Sequence, residues 1–178
     1  MSRLEGISTF FQARSAVLFL TALLWVAPLL AQAPPSADTF VSSAAPNVNY
    51  GPGISLLVGP GTTSYIRFNL SGIPAGATVS KASLRLYVDA VATGGAFDVY
   101  NLSGAWHENS LTYSTPPPPR GASATLSHPV SVTRASANQF LLIDITALAQ
   151  AWVNGSIPNN GVAPVSYTHL TLPTNREV

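Results

Sequence analysis

The sequence predicts an all-β protein: a jelly-roll-like antiparallel β-sandwich with one short helix near its C-terminus. Three observations carry this prediction. Ser64–Leu70 (SYIRFNL) alternates strictly, with Ile66, Phe68 and Leu70 on one side and Tyr65, Arg67 and Asn69 on the other. Lys81–Val88 (KASLRLYV) sets Ala82, Leu84, Leu86 and Val88 against Lys81, Ser83, Arg85 and Tyr87 in the same way. Period two with one apolar face is the pattern of a half-buried antiparallel strand. Short runs of this kind, punctuated by Gly and Pro at a spacing of roughly 8–12 residues, point to a sandwich. No repeat of about 20–50 residues suggests a propeller or a solenoid.

The other elements follow in order along the chain. Thr39–Val41 is a short first strand, followed by an Asn/Pro/Gly loop, Pro46–Gly53. Ile54–Val58 is a second strand, ended by Gly59-Pro60-Gly61, and Ser71–Gly76 separates the two alternating strands. Gly94-Gly95 turns the chain into a strand at Ala96–Leu102. Trp106–Tyr113 (WHENSLTY) comes next, then Pro116–Pro119, a stiff polyproline-like spacer. Ala122–Thr133 has weak strand character, and Phe140–Ile145 (FLLIDI) is a strongly apolar strand. A helix over Ala147–Asn154 has Thr146 as its expected N-cap and Gly155 as its stop. Its Leu148 and Trp152, four residues apart, share the buried face.

The two ends do not read as part of this domain. Residues 1–33 form an expected signal peptide: Arg3 and Arg14 precede an apolar run, Ser15–Leu30, and Ala31-Gln32-Ala33 offers the small residues of a cleavage site. The run is interrupted by Pro28 and falls short of the roughly 20 residues a membrane-spanning helix needs. No stable membrane span is therefore expected once the leader is removed. At the other end, Val165–Val178 (VSYTHLTLPTNREV) shows neither strand alternation nor a helical stripe. Val165–Thr174 resembles a transposase-type sequencing adapter translated in frame. Residues 164–178 are therefore expected to be a non-native tail, leaving a domain at 34–163, truncated, with further linked domains encoded downstream.

Composition excludes several classes of function. Only 8% of the 178 residues are charged, against about a quarter in ordinary domains, and the net charge is +1. Without the two ends, Arg67, Lys81, Arg85, Arg120 and Arg134 balance Asp38, Asp89, Asp98, Glu108 and Asp144. A basic stripe for nucleic acid is absent. The chain has no cysteine, which removes disulfides, thiol nucleophiles and cysteine-ligated metals. His107 and His128 sit in no recognisable nucleophile or metal motif, so no catalytic residues are assigned.

Nine ordered pieces resemble the DNRLRE domain, also called carbohydrate-binding module family 96. They are Ala37–Val41, Asn49–Gly51, Leu56–Gly59, Ser64–Leu70, Ile73–Val79, Ala82–Val88, the Trp106–Glu108 and Leu111–Tyr113 pair, Asp144–Thr146, and Trp152 with Asn160–Ala163. The resemblance implies a secreted, extracellular and non-catalytic module that binds polysaccharide, with acidic glycans such as alginate among the ligands. It also implies a further strand after the Asn-Gly-Val-Ala element. The competing readings are a structural or adhesive stalk domain of a cell-surface protein, and the accessory fragment of a polysaccharide lyase or hydrolase.

If the strands at 64–70 and 81–88 are neighbours, Tyr65, Arg67, Arg85 and Tyr87 share one sheet face with Lys81 at its edge. Aromatic rings stack on sugar rings, and an arginine fork holds a uronate carboxylate with two parallel hydrogen bonds. These five residues are the candidate glycan contacts, with Tyr50 as an exposed loop aromatic. The alternative is ordinary cross-strand pairing, with Asp98 opposite Arg85. Trp152 reads as core, and Trp106 is equally compatible with packing. No cofactor is assigned. A structural calcium on Asp38, Asn47 and Asn49 stays open, although no spacing there forms a calcium loop.

Overall fold

The computed structural model describes residues 31–125, 128–166 and 172–175, the last group by backbone alone. The expected leader lies outside the described residues up to position 30. No helix among the described residues is long and apolar enough to cross a membrane.

Two antiparallel sheets face each other. The first holds β1 (Pro35–Ser42), β3 (Thr62–Phe68), β9 (Val162–Ser166), β5 (Gly95–Leu102) and β6 (Arg120–Ser123) in that order, with β7 (Val130–Val132) also paired to β5. The second runs β2 (Ser55–Val58), β10 (Leu172–Asn175), β4 (Ser83–Val88) and β8 (Gln139–Asp144). Alternation places Phe40, Ile66, Phe97, Val99 and Val162 of the first sheet against Leu56, Val58, Leu84, Leu86, Val88 and Ile143 of the second. Burying these side chains, at about 1.5–3 kcal/mol each, is what holds the sheets together.

The helix α1 (Thr146–Val153) starts one residue earlier than expected, and Thr146 is not its cap. The Thr146 N–H donates to Asp144 Oδ1 at 2.8 Å, so the carboxylate at the end of β8 caps the first turn. The Thr146 hydroxyl instead accepts the Ala82 N–H at 2.9 Å, tying the helix to the start of β4. Gly155 ends the helix with φ +69°, as expected of a left-handed stop. Trp152 lies in the core, and Leu148 packs against it.

The sequence predicts no strand from Pro164 onward, and the structure has two there. Val162–Ser166 is central in its sheet because β5 and β3 both present unpaired edges to it, and Leu172–Asn175 fills the space between β2 and β4. Each of these strands contains a proline. Val99, opposite Pro164, gives its N–H to Thr125 Oγ1 and accepts from the Ala124 N–H, both away from β9. Val99 and Pro164 therefore form a non-hydrogen-bonded pair, and the donor-less nitrogen of Pro164 faces β3. Pairing between β3 and β9 is confined to Ile66–Val162.

Gly161 controls how closely β9 approaches β3. It sits at φ +89°, and a Cβ there would fall 2.0 Å from the Ile66 carbonyl oxygen. Gly161→Ala is expected to destabilise the fold by about 2–4 kcal/mol, from positive-φ strain plus the backbone clash. Gly72→Ala, where a Cβ meets nothing within 4 Å, should change stability by less than about 0.5 kcal/mol. Urea denaturation of the two variants checks the difference.

Candidate functional site

The six candidate residues do not share one face. β3 and β4 belong to different sheets, so their outward side chains stand on opposite sides of the sandwich. Strict alternation identified which residues point outward but carried no information about which strands pair.

Tyr50 is not an exposed loop aromatic. Its ring stacks on Phe40 at 4.1 Å and packs against the main core. The flanking residues explain why: the Asn49 amide donates to the carbonyls of Glu108 (2.6 Å) and Leu111 (2.8 Å), drawing the Asn-Tyr-Gly turn onto the segment 103–119. Asn49 is thereby committed to backbone partners, and among the described residues no three His, Asp or Glu side chains gather as a metal site.

Tyr65 and Arg67 project from the outer face of the first sheet, and that face is largely covered. Segment 103–119 folds over it and inserts Trp106 and Leu111, which form a second apolar cluster with Ala37, Val41, Tyr65, Leu102 and Ala163. The Trp106 indole N–H donates to the Asn160 carbonyl at 2.8 Å, and its ring lies 5.8 Å from that of Tyr65. Arg67 sits over the same indole at 5.5 Å and reaches the Trp106 carbonyl at 3.4 Å. Trp106 is thus a packing residue. Asp98 is buried in β5, accepts a hydrogen bond from Thr125 Oγ1 at 2.8 Å, and does not lie opposite Arg85.

Lys81, Arg85 and Tyr87 do stay together, on the outer face of the second sheet. The β4–β8 register sets Arg85 opposite Leu142 and Tyr87 opposite Phe140. The Arg85 guanidinium lies over the Phe140 ring at 3.6 Å, and Tyr87 meets that ring edge-on at 5.0 Å. The Tyr87 hydroxyl donates to Asn138 Oδ1 at 3.4 Å. Phe140 is 38% exposed and Leu142 70% exposed. The result is a contiguous cluster of one cation and two rings inclined at 61° on the outer face of the sheet. Phe140 and Leu142 escaped the sequence reading because FLLIDI looks uniformly buried. The available signal was Asp144: an outward carboxylate two and four residues away sets the parity of both.

The chain matches the family model for carbohydrate-binding module family 96 over residues 30–161. The chain belongs to that family. No curated protein matches it. Family membership makes this chain a carbohydrate-binding module, a class that is non-catalytic in general and often extracellular. Its match ends just before Val162 and so spans both sheet faces described above.

Lys81 differs from Arg85 in having an acidic neighbour. Hydrogen bonds from Thr146 hold the Asp144 carboxyl below its ordinary pKa, with a smaller contribution from the Lys81 charge. A depressed carboxylate pKa contributes stability that is complete above the unfolded-state value, about pH 4, and is lost as pH falls through the folded-state value. Asp144→Asn should therefore melt below the wild type at pH 7. The gap should close on acidification below about pH 4, as thermal melts across pH will show.

Proposed function

We propose that this module binds an acidic polysaccharide through the outer face of β4 and β8, as one part of a larger secreted protein. The observation that carries the reading is Arg85 stacked on the exposed Phe140 ring. Among the described residues it has no carboxylate partner, so its hydrogen-bonding fork is open to a ligand. In a chain whose domain is formally neutral, an unpaired cation beside two rings suits a uronate better than a neutral glucan. Lys81, on the same face, adds positive charge near the chain-entry end of β4. The module itself performs no reaction in this reading; it holds its parent protein on the polymer.

We also propose that residues 164–178 are adapter-derived. The support is that both strands that include these residues carry a proline within them, a residue confined in most sheets to edges and bulges. Genomic DNA beyond the Ala163 codon is expected to encode a different, proline-free alternating segment able to pair with both β2 and β4.

Affinity electrophoresis tests the binding reading. Alginate or pectin in the gel should retard the protein, and a neutral glucan should not. Arg85→Ala and Phe140→Ala should each weaken retention about 10- to 100-fold, the worth of hydrogen bonds to a charged group or of a stacked ring, with little change in melting temperature. Retention should also fall as salt is raised. A folded protein that no polysaccharide retards would be a stalk domain instead.

A further inference from the structure

Segment 103–119 does not cover the whole outer face of the first sheet. Beside Trp106 it leaves a groove of about 450 Å³, lined by β3, the turn at 59–61, the loop, Arg120 of β6, and Val165 and Ser166 of β9. That volume lies in the range of about 300–1,000 Å³ typical of small-ligand sites. Four features of the groove bear on what it takes.

Arg120 is the one charged side chain among its described lining residues, and no acidic residue lines it. The guanidinium rests 5.8 Å from the Tyr100 ring and, among the described residues, has no carboxylate partner. Tyr65 is 1% exposed, yet among the described residues its hydroxyl has no hydrogen-bond partner within the protein. The hydroxyl is not among the buried unpaired atoms of the described residues, so it opens onto the groove. Burial pushes its pKa up while the Arg120 charge acts in the opposite direction, which puts the two groups within electrostatic reach. Thr63 and Thr112 also line the groove, and their hydroxyls have no internal partners among the described residues; Tyr113 lines it too and is 48% exposed.

We propose that this groove is a second saccharide site, which takes the carboxylate of an anionic sugar between Arg120 and the Tyr65 hydroxyl. Thr63 and Thr112 meet the ring hydroxyls, and Tyr113 offers a stacking surface. Because the site lies on the opposite sheet from Arg85 and Phe140, one module holds two glycan segments at once. The polymer is then engaged twice per module, and avidity replaces tight binding at either site. The inference rests on the reading of the module as an acidic-polysaccharide binder but assigns the ligand to different residues; those residues all precede Ala163, although Val165 and Ser166 of β9 also line the groove.

Isothermal titration of the full chain with a uronate trimer, and with a glucose trimer as the neutral control, tests it. Two uronate trimers should bind per chain and no glucose trimer. Arg120→Ala should reduce this to one, and Arg85→Ala should also leave one. Tyr65→Phe keeps the ring that packs on Trp106 and should weaken only the groove site, about tenfold, without lowering the melting temperature. Arg134→Ala, an exposed charge-matched control outside both sites, should change neither site. A stoichiometry of one that Arg85→Ala abolishes and that Arg120→Ala and Tyr65→Phe leave intact would overturn the groove and keep the β4–β8 site. A stoichiometry of one lost only in Arg120→Ala would do the reverse. No binding of the uronate trimer at all would overturn both.

Discussion

Burial of Trp106 is the constraint on which the functional surface depends. A tryptophan in a loop between two sheet-forming segments could have stood in solvent as a sugar platform. Here it packs against Tyr65 and donates its indole N–H to the Asn160 carbonyl, and Asn49 fastens the same loop from the other side. Removing such a ring costs about 3–5 kcal/mol in general, a large share of the stability of a small domain. The loop is therefore held down, and what it covers and leaves open is decided by packing. Covered are most of the outward residues of β1 and β3; open is a groove whose wall exposes the Tyr65 hydroxyl.

The other outward face has no such cover. β8 is an edge strand, so the side chains of Phe140 and Leu142 meet solvent on a face that β4 supplies with Arg85 and Tyr87. Exposed aromatic and aliphatic groups on a flat sheet are a hazard for edge-to-edge association unless charge interrupts them. Arg85 supplies that charge from above the Phe140 ring. With so few charged residues in the domain, each cation without an acidic neighbour weighs heavily. Lys81 is partly balanced by Asp144, whereas Arg85 and Arg120 are each backed by an aromatic ring.

Much of the sandwich was legible in the residues. The alternation in SYIRFNL and KASLRLYV identified the inward set of β3 and β4 correctly, and the helix near the C-terminus was misplaced by a single residue because Asp144, rather than Thr146, caps it. The site was less legible. Tyr65, Arg67, Arg85 and Tyr87 were all recognised as outward, but the shared face assumed for them required β3 and β4 to be neighbours. Period-two patterning is local, and strand order depends on contacts between residues far apart in the chain. Arg120 and Tyr113 carried no pattern at all, since they flank a proline run, Tyr113 in irregular structure and Arg120 at the start of the four-residue strand β6, and acquire their setting only when that loop folds over the sheet.

By itself, then, the sequence determined the class of fold, the inward and outward faces of its best strands, the helix with its glycine stop, and the family. Each of these depends on nearest neighbours along the chain or on ordered motifs within it. Only the tertiary structure decided that the cationic residues are distributed over two opposite faces, that Tyr50 and Trp106 are packing residues, and that Phe140 lies under the Arg85 guanidinium. Those outcomes follow from which sheet each strand joins and where one loop lies, and both are set by the burial of apolar surface over the whole domain.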